Sequence, residues 1–203
     1  MLRPDHLVIS AEALSGADEA LAALFGAEFS PGGQHPLMST HNRLLSLGPD
    51  EYLELIAIDP GAPPPGHPRW FGLDHFRGPP RLTHWVCRCD DLEAALLQAP
   101  AGAGRATALS RGDLHWQMAV TESGTLPFDD SFPALISWQG STHPAQRLPD
   151  HGIRLRELQI FHPEAQALSA ALSPLLTDSR IAILQGPAGL SALFTTADGE
   201  LRL

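Results

Sequence analysis

Three side chains of metal-ligand type stand in short apolar runs that read as β-strands. They are His6 in Asp5-His6-Leu7-Val8-Ile9, Glu54 in Tyr52-Leu53-Glu54-Leu55-Ile56, and His84 in Thr83-His84-Trp85-Val86-Cys87. The first and third runs echo each other, with the histidine at the same point, and each leads through a loop into an amphipathic helical stretch. Side chains alternate across a strand, so His6, Val8 and Ser10 share one face and Leu7 and Ile9 the other. On the third run His84, Val86 and Arg88 lie opposite Trp85, Cys87 and Cys89; on the second, Glu54 lies opposite Leu53 and Leu55. If the more apolar faces pack under helices, His6, Glu54 and His84 project together from the other side of the sheet. Two neutral imidazoles and one carboxylate suit a divalent metal (Fe, Zn, Mn, Ni or Co) and leave positions open for substrate or oxygen. A single strand histidine is ordinarily held in a structural hydrogen bond, and Glu54 could pair with Arg88. The repeat is what lifts these residues above such roles.

The elements that must position them recur. His6 to Ser10 reads as a strand. Ser15 is a candidate helix cap, with Asp18 and Glu19 in the first turn, a stripe of Ala20, Leu21, Leu24 and Phe25, and Gly26 as the stop. Strands follow at 42–47 and 52–58, with a further short one near Glu28. The segment from Asp59 to Pro80 is rich in proline, glycine and aromatics and reads as an ordered connector, because Trp70 and Phe71 need burial. The plan restarts with a strand at 82–89, a helix capped by Asp90-Asp91, a hairpin of 106–110 with 114–120, and a closing strand at 134–138. A third echo has a strand at 155–161, a helix entered at Pro163, and strands at 181–184, 190–195 and 200–203. The expectation is an α+β chain: duplicated β-α-β-β-β modules at 1–60 and 81–140, joined by a connector at 61–80. A further connector and a partial third module fill 141–203. The outcome is one compact unit with a cupped mixed sheet, helices on its convex side.

Composition narrows the chemistry. The chain has 203 residues, 43% hydrophobic, with a formal net charge of −10 and no basic run. Nucleic acid and anionic membranes are therefore poor partners. All 13 cationic side chains are arginine; without lysine there is no Schiff base and no Walker-type phosphate site, and no nucleotide cofactor is expected. Arg88 and Arg111 are candidate clamps for an anionic substrate, with surface ion pairing as the competing role. His35 and His41 flank a Gly/Pro-rich loop and could line the cup. Trp116 and Trp138 read as core. Cys87 and Cys89 share a strand face, lack disulfide geometry and read as buried thiols under the helix. The N-terminus lacks a signal-like apolar segment, so a cytoplasmic protein of bacterial style, monomeric or homodimeric, is expected.

The runs Gly32-Gly33-Gln34-His35-Pro36, Thr40 to Gly48, Tyr52 to Ile56, Arg69-Trp70-Phe71-Gly72-Leu73 and His143-Pro144-Ala145, with Asp5 to Ile9, carry a resemblance in their order. The chain resembles the vicinal oxygen chelate superfamily, and within it the glyoxalase-like domain proteins, related in fold to bleomycin-resistance proteins and dihydroxybiphenyl dioxygenases. That resemblance implies paired β-α-β-β-β modules around a cup, with metal ligands on the first and last strands of each module. It carries over to His6, Glu54 and His84, with Glu54 also the catalytic carboxylate. At the fourth place it finds Ser137, a poor metal ligand, which with Arg88, Arg111 and His41 would then stand near the substrate. The set departs from the two-acid set that the glyoxalase reaction uses. The resemblance therefore implies an isomerase, lyase or dioxygenase acting on a small molecule with an incomplete ligand set, or a metal-free protein that binds or sequesters a small molecule in the same cup.

Overall fold

The structure, a computed structural model, describes residues 1–140 and 142–203. The first module contains β1 (Arg3–Ser10), α1 (Ala17–Phe25), β2 (Ser30–His35), β3 (Thr40–Ser46) and β4 (Tyr52–Ile58). The second contains β5 (Arg81–Arg88), α2 (Leu92–Leu96), β6 (Arg105–Arg111), β7 (Leu114–Val120) and β8 (Ala134–Gln139). Together they form one eight-stranded sheet in the order β2-β3-β4-β1-β5-β8-β7-β6. Within each module the first strand lies parallel to the last, β1 to β4 and β5 to β8, and the modules meet through the antiparallel pair β1–β5. The sheet curls until its outer strands approach, with Gly33 of β2 against Arg111 of β6. This is the expected duplication and the expected cup.

Alternation sorts the two faces as the sequence required. Leu7, Ile9, Leu53, Leu55, Trp85, Cys87 and Leu135 pack in the core on the convex side, with Leu21 and Phe25 of α1 and Leu92 and Ala95 of α2. Cys87 and Cys89 are unpaired and buried there. Val8, Ile56, Val86, Trp116, Met118 and Ile136 form a second cluster inside the cup. Gly26 ends α1 in the left-handed conformation (φ 66°), and Asp91 caps α2 by accepting from the Ala94 N–H. At the start of α1 Gly16 takes the cap position expected of Ser15, without a side-chain bond.

Helices of nine and five residues cannot cover eight strands. The rest of the convex face is closed by β9 (Arg154–His162), α3 (Ala165–Leu172), β10 (Ile181–Gln185), β11 (Gly189–Thr196) and β12 (Gly199–Arg202). These strands form their own sheet in the order β10-β9-β11-β12. The order differs from that of the two modules: β9 pairs with β10 in parallel and with β11, while β12 sits outside. Leu155, Leu158, Ile160, Ala192 and Phe194 join the convex core, Phe194 meeting Phe25 edge to face at 5.3 Å.

Two register shifts interrupt β1–β5. One falls between Pro4 and His6, leaving Asp5 as the extra residue; the other leaves Thr83 extra beside His84. A bulge of this kind re-aims side chains that strict alternation would send to opposite faces. Among the described residues no helix is long and apolar enough to cross a membrane.

Candidate functional site

The bulge at Asp5 builds the centre of the cup. Asp5 is fully buried, yet its carboxylate is well supplied with donors. One oxygen lies 2.6 Å from His6 Nδ1; the other accepts from Trp138 Nε1 at 3.0 Å and His143 Nε2 at 2.9 Å, with Arg88 Nη1 at 3.7 Å. His143 must donate through Nε2, because its Nδ1 accepts from the Ala145 N–H. Burial alone would raise the pKa of Asp5, but the bonds from His143 and His6 outweigh it and hold the carboxyl well below the usual carboxylate range. An ionised Asp5 therefore fixes the proton of His6 on Nδ1 and turns Nε2 toward the cup. Tyr52 stacks on the imidazole with centroids 4.5 Å apart and planes at 16°.

His6 Nε2 faces Glu54 Oε2 at 3.6 Å. The two side chains reach each other because His6 stands opposite Tyr52, two residues before Glu54, in the β1–β4 register. The other oxygen, Oε1, accepts from Asn42 Nδ2 at 2.5 Å. Asn42 Oδ1 in turn accepts from Arg111 Nη1 at 3.1 Å and from the Gly33 N–H at 2.8 Å. Asp5, His6, Glu54, Asn42 and Arg111 thus form one polar line across the cup floor. Two opposed proton-binding atoms, His6 Nε2 and Glu54 Oε2, stand at its middle. Tyr52 stays a neutral phenol, since burial and then the charges of Asp5 and Glu54 push its ionisation well up. His35 lies beside the line with Nδ1 3.1 Å from Thr40 Oγ1, and burial followed by the charge of Arg111 pulls its pKa down to about 3. It is a neutral wall.

Above the floor a cleft, open to solvent, lies between Trp70, Phe71, Trp116, Met118, Ile136 and Trp138. Trp70 and Phe71 come from the connector. Their turn is docked by the Gly72 N–H donating to the Gly124 carbonyl at 2.9 Å, and Phe71 is held at φ 58°. A Cβ on Gly124 would stand 2.3 Å from the Arg69 carbonyl, so only glycine admits this approach.

The residues singled out by sequence divide between several places. His6, Glu54 and Arg111 meet in the cleft, joined by His35. His84 projects from the same face but is diverted. The Phe71 ring lies over it at 5.0 Å and Asp130 Oδ1 is 3.4 Å from Nε2, in a separate open cleft with Arg81 and Thr83. Among the described residues neither ring nitrogen of His84 has a partner in hydrogen-bond geometry. The structure places Ser137 elsewhere than expected. Ile136 and Trp138 take the cup face of β8, so by alternation Ser137 faces away, its hydroxyl 3.5 Å from the Asp90 carbonyl. His41, one residue off the Asn42 position, likewise falls on the convex side of β3. Arg88 stands behind Asp5 and pairs with it and with Asp50 instead of reaching the cleft. Sequence reasoning passed over Asp5, Asn42, Tyr52 and His143 as functional and read Trp116 and Trp138 as core. Parity with Glu54 across β3–β4 was a usable signal for Asn42; nothing in the sequence announced the bulge at Asp5.

As a metal centre the set is incomplete. Catalytic sites of this type carry three protein ligands; here His6 Nε2 and Glu54 converge while His84 does not. Among the described residues no group of three His, Cys, Asp or Glu is arranged to hold an ion. The residues present do not fit the expected three-ligand site.

The comparisons with known proteins agree with this architecture. A family model described as a glyoxalase-like domain matches residues 5–176. The chain belongs to that family, within the vicinal oxygen chelate fold. No curated protein matches it by sequence. Among solved structures, a hypothetical protein from Staphylococcus aureus is similar at TM-score 0.62 and 14% identity, over 100% of this chain and 85% of that one. A methylmalonyl-CoA epimerase from Streptomyces coelicolor, solved with 2-nitronate-propionyl-CoA, aligns at TM-score 0.46 and 15% identity, over 69% of this chain and 98% of its own. The Mycobacterium tuberculosis epimerase aligns at 0.45 and 18%, over 68% and 88%. At 14% identity the likeness to the Staphylococcus aureus protein is one of fold.

Proposed function

We propose that this chain is a small-molecule enzyme of the isomerase or epimerase type, moving a proton to and from a carbon atom held in the cup. One observation carries the reading: His6 Nε2 and Glu54 Oε2 face each other at 3.6 Å, with His6 Nδ1 locked by an ionised Asp5. A substrate C–H placed over the pair loses its proton to the Glu54 carboxylate, leaving an enolate and a neutral acid. The proton on the His6–Glu54 pair then returns to the carbon, on the same or the opposite face. Asp5 stabilises an imidazolium whenever His6 takes the proton, and Asn42 keeps the second Glu54 oxygen from turning away. The phenol of Tyr52, kept neutral, packs under the imidazole and keeps it level. The tryptophan walls exclude water, which strengthens each of these interactions. Divalent-metal chemistry, with His6 and Glu54 as two ligands, is the alternative that the family resemblance implies, but with His84 diverted no third converges among the described residues.

The test is proton exchange in D₂O, followed by NMR on a panel of compact carbonyl compounds and carboxylates. The wild type is expected to catalyse C–H to C–D exchange on at least one class, unaffected by a chelator. Positioned acid–base groups contribute about 10²–10⁴-fold, and E54Q should lose that much. Saturable binding of panel members with no exchange would instead favour a sequestering protein.

A further inference from the structure

We infer that the cup is built for a carboxylate with a flat apolar body: the carboxylate on Arg111, the body against Trp70, Trp116 and Trp138, and the carbon next to the carboxylate over Glu54. This deepens the proton-transfer reading and rests on the cup being the substrate site.

The first observation is an uncompensated cation. Arg111 is the single arginine lining the cleft, and it is only half exposed. Other arginines near the sheet sit on carboxylates: Arg88 on Asp5 and Asp50, Arg147 on Asp113, Arg180 on Glu51 and Asp178. Arg111 makes no ion pair among the described residues; its one acceptor there is the neutral Asn42 amide. A guanidinium has five donors, so most of its fork is left for a ligand, and its planar geometry matches a carboxylate in two parallel bonds. His35, the nearest basic group, stays neutral and adds no competing charge.

The second observation is that this arginine is placed deliberately. It ends β6 and reaches across the seam of the curled sheet to β2. A Cβ on Gly33 would stand 2.4 Å from Arg111 Cδ, and one on Gly32 would stand 2.0 Å from Asn42 Oδ1. The glycine pair therefore makes room for both the arginine stem and the amide that holds it.

The third observation is spacing. The same Asn42 amide bonds Arg111 through Oδ1 and Glu54 through Nδ2. The clamp and the proton acceptor are separated by one amide group, which matches a carboxylate and the carbon attached to it. Beyond that carbon the walls are indole faces, Trp116 and Trp138 lying 5.4 Å apart between centroids. Flat apolar groups stack on such surfaces.

Tryptophan fluorescence reads the binding, because three of the four tryptophans line the cup and Trp85 lies in the convex core. The probes are phenylacetate, phenylacetamide and phenyl phosphate. Phenylacetate should quench saturably and bind about tenfold tighter than the amide, the margin of a charge-assisted bidentate pair. R111Q should lose that margin for phenylacetate and leave the amide unchanged. G33V, which keeps the charge but displaces the arginine, should weaken phenylacetate while the amide is again unaffected. E54Q should bind phenylacetate at least as well as the wild type, since it removes a neighbouring negative charge. Equal affinity for acid and amide, full affinity in R111Q, or no saturable quenching up to ~20 mM would overturn the clamp. Tighter binding of phenyl phosphate would overturn the carboxylate in favour of a phosphate. If E54Q and the wild type bind phenylacetate alike and no carboxylate exchanges its proton, the clamp stands and the proton-transfer reading falls.

Discussion

His6 and His84 hold the same place in two copies of one module, and the molecule treats them differently. His6 is locked on one nitrogen by Asp5, stacked on Tyr52 and aimed at Glu54 inside the cleft. His84 is covered by Phe71, lies beside Asp130 without a hydrogen bond, and opens to a different cleft. The strands are equivalent; the neighbours are not. A bulge supplies Asp5 on one side. On the other, the connector drops Phe71 into the space that separates the histidines. A duplicated backbone therefore copies positions but not sites, because a site also depends on what the loops bring against it.

The largest effect expected of this contrast is on proton exchange. H6Q and E54Q should each lower the exchange rate by about 10²–10⁴-fold, whereas H84Q should stay within about threefold. An equal loss in H84Q would make the two histidines partners after all.

Stability should separate the two carboxylates next. Asp5 is buried with donors on both oxygens, so D5N should cost about 3–5 kcal/mol in urea unfolding, as when one partner of a buried charge cluster is removed. D130N, beside His84 and partly open, should cost less than about 1 kcal/mol. A cost for D130N equal to that for D5N would erase the distinction between the two corners.

Acid should act on the cup through His35. Its folded pKa lies at about 3 against 6.5 for a free histidine. The unfolded chain therefore binds a proton below about pH 6.5 that the folded chain refuses, and stability falls as pH drops from there toward 3. Between pH 7 and 5 the loss is about 2 kcal/mol, at ~1.4 kcal/mol per unit below the unfolded value. Asp5, whose folded pKa is depressed, contributes stability above about pH 4 and loses it only below that, so it is silent in this window. H35Q should flatten the profile from pH 7 to 5; an unchanged slope would show that His35 titrates normally.

The smallest effect is on metal affinity. In a Co(II) absorbance titration, H6Q should weaken an already modest site by about tenfold, while H84Q should leave it unchanged. A matching loss in H84Q would restore the three-ligand set.

Much of the fold was legible because apolar alternation is a local property. Leu7 and Ile9 against His6 and Val8, or Leu53 and Leu55 against Glu54, set which face each strand buries. The same alternation, carried one strand further, turns Ser137 out and Ile136 in. The third unit was legible as strands and a helix, but its order was not, since pairing of β9 with β10 and β11 is decided by what covers the convex face.

By itself the sequence determined the duplicated modules, the cupped sheet, and the placement of His6, His84 and Glu54 on its concave face. These follow from residue periodicity and the rigid geometry of paired strands. Only the tertiary structure decided that Asp5 bulges inward, that Phe71 parts the histidines, and that Arg111 crosses a seam to reach Asn42. The Arg111–Asn42 and His143–Asp5 contacts join residues 69 and 138 positions apart, Phe71 meets His84 only through the fold of the connector, and the bulge at Asp5 breaks strict alternation, so no local pattern encodes them. The cup, with His6 and Glu54 facing into it, was therefore readable from the chain; the contacts that set His84 apart and tie Arg111 to Asn42 were not.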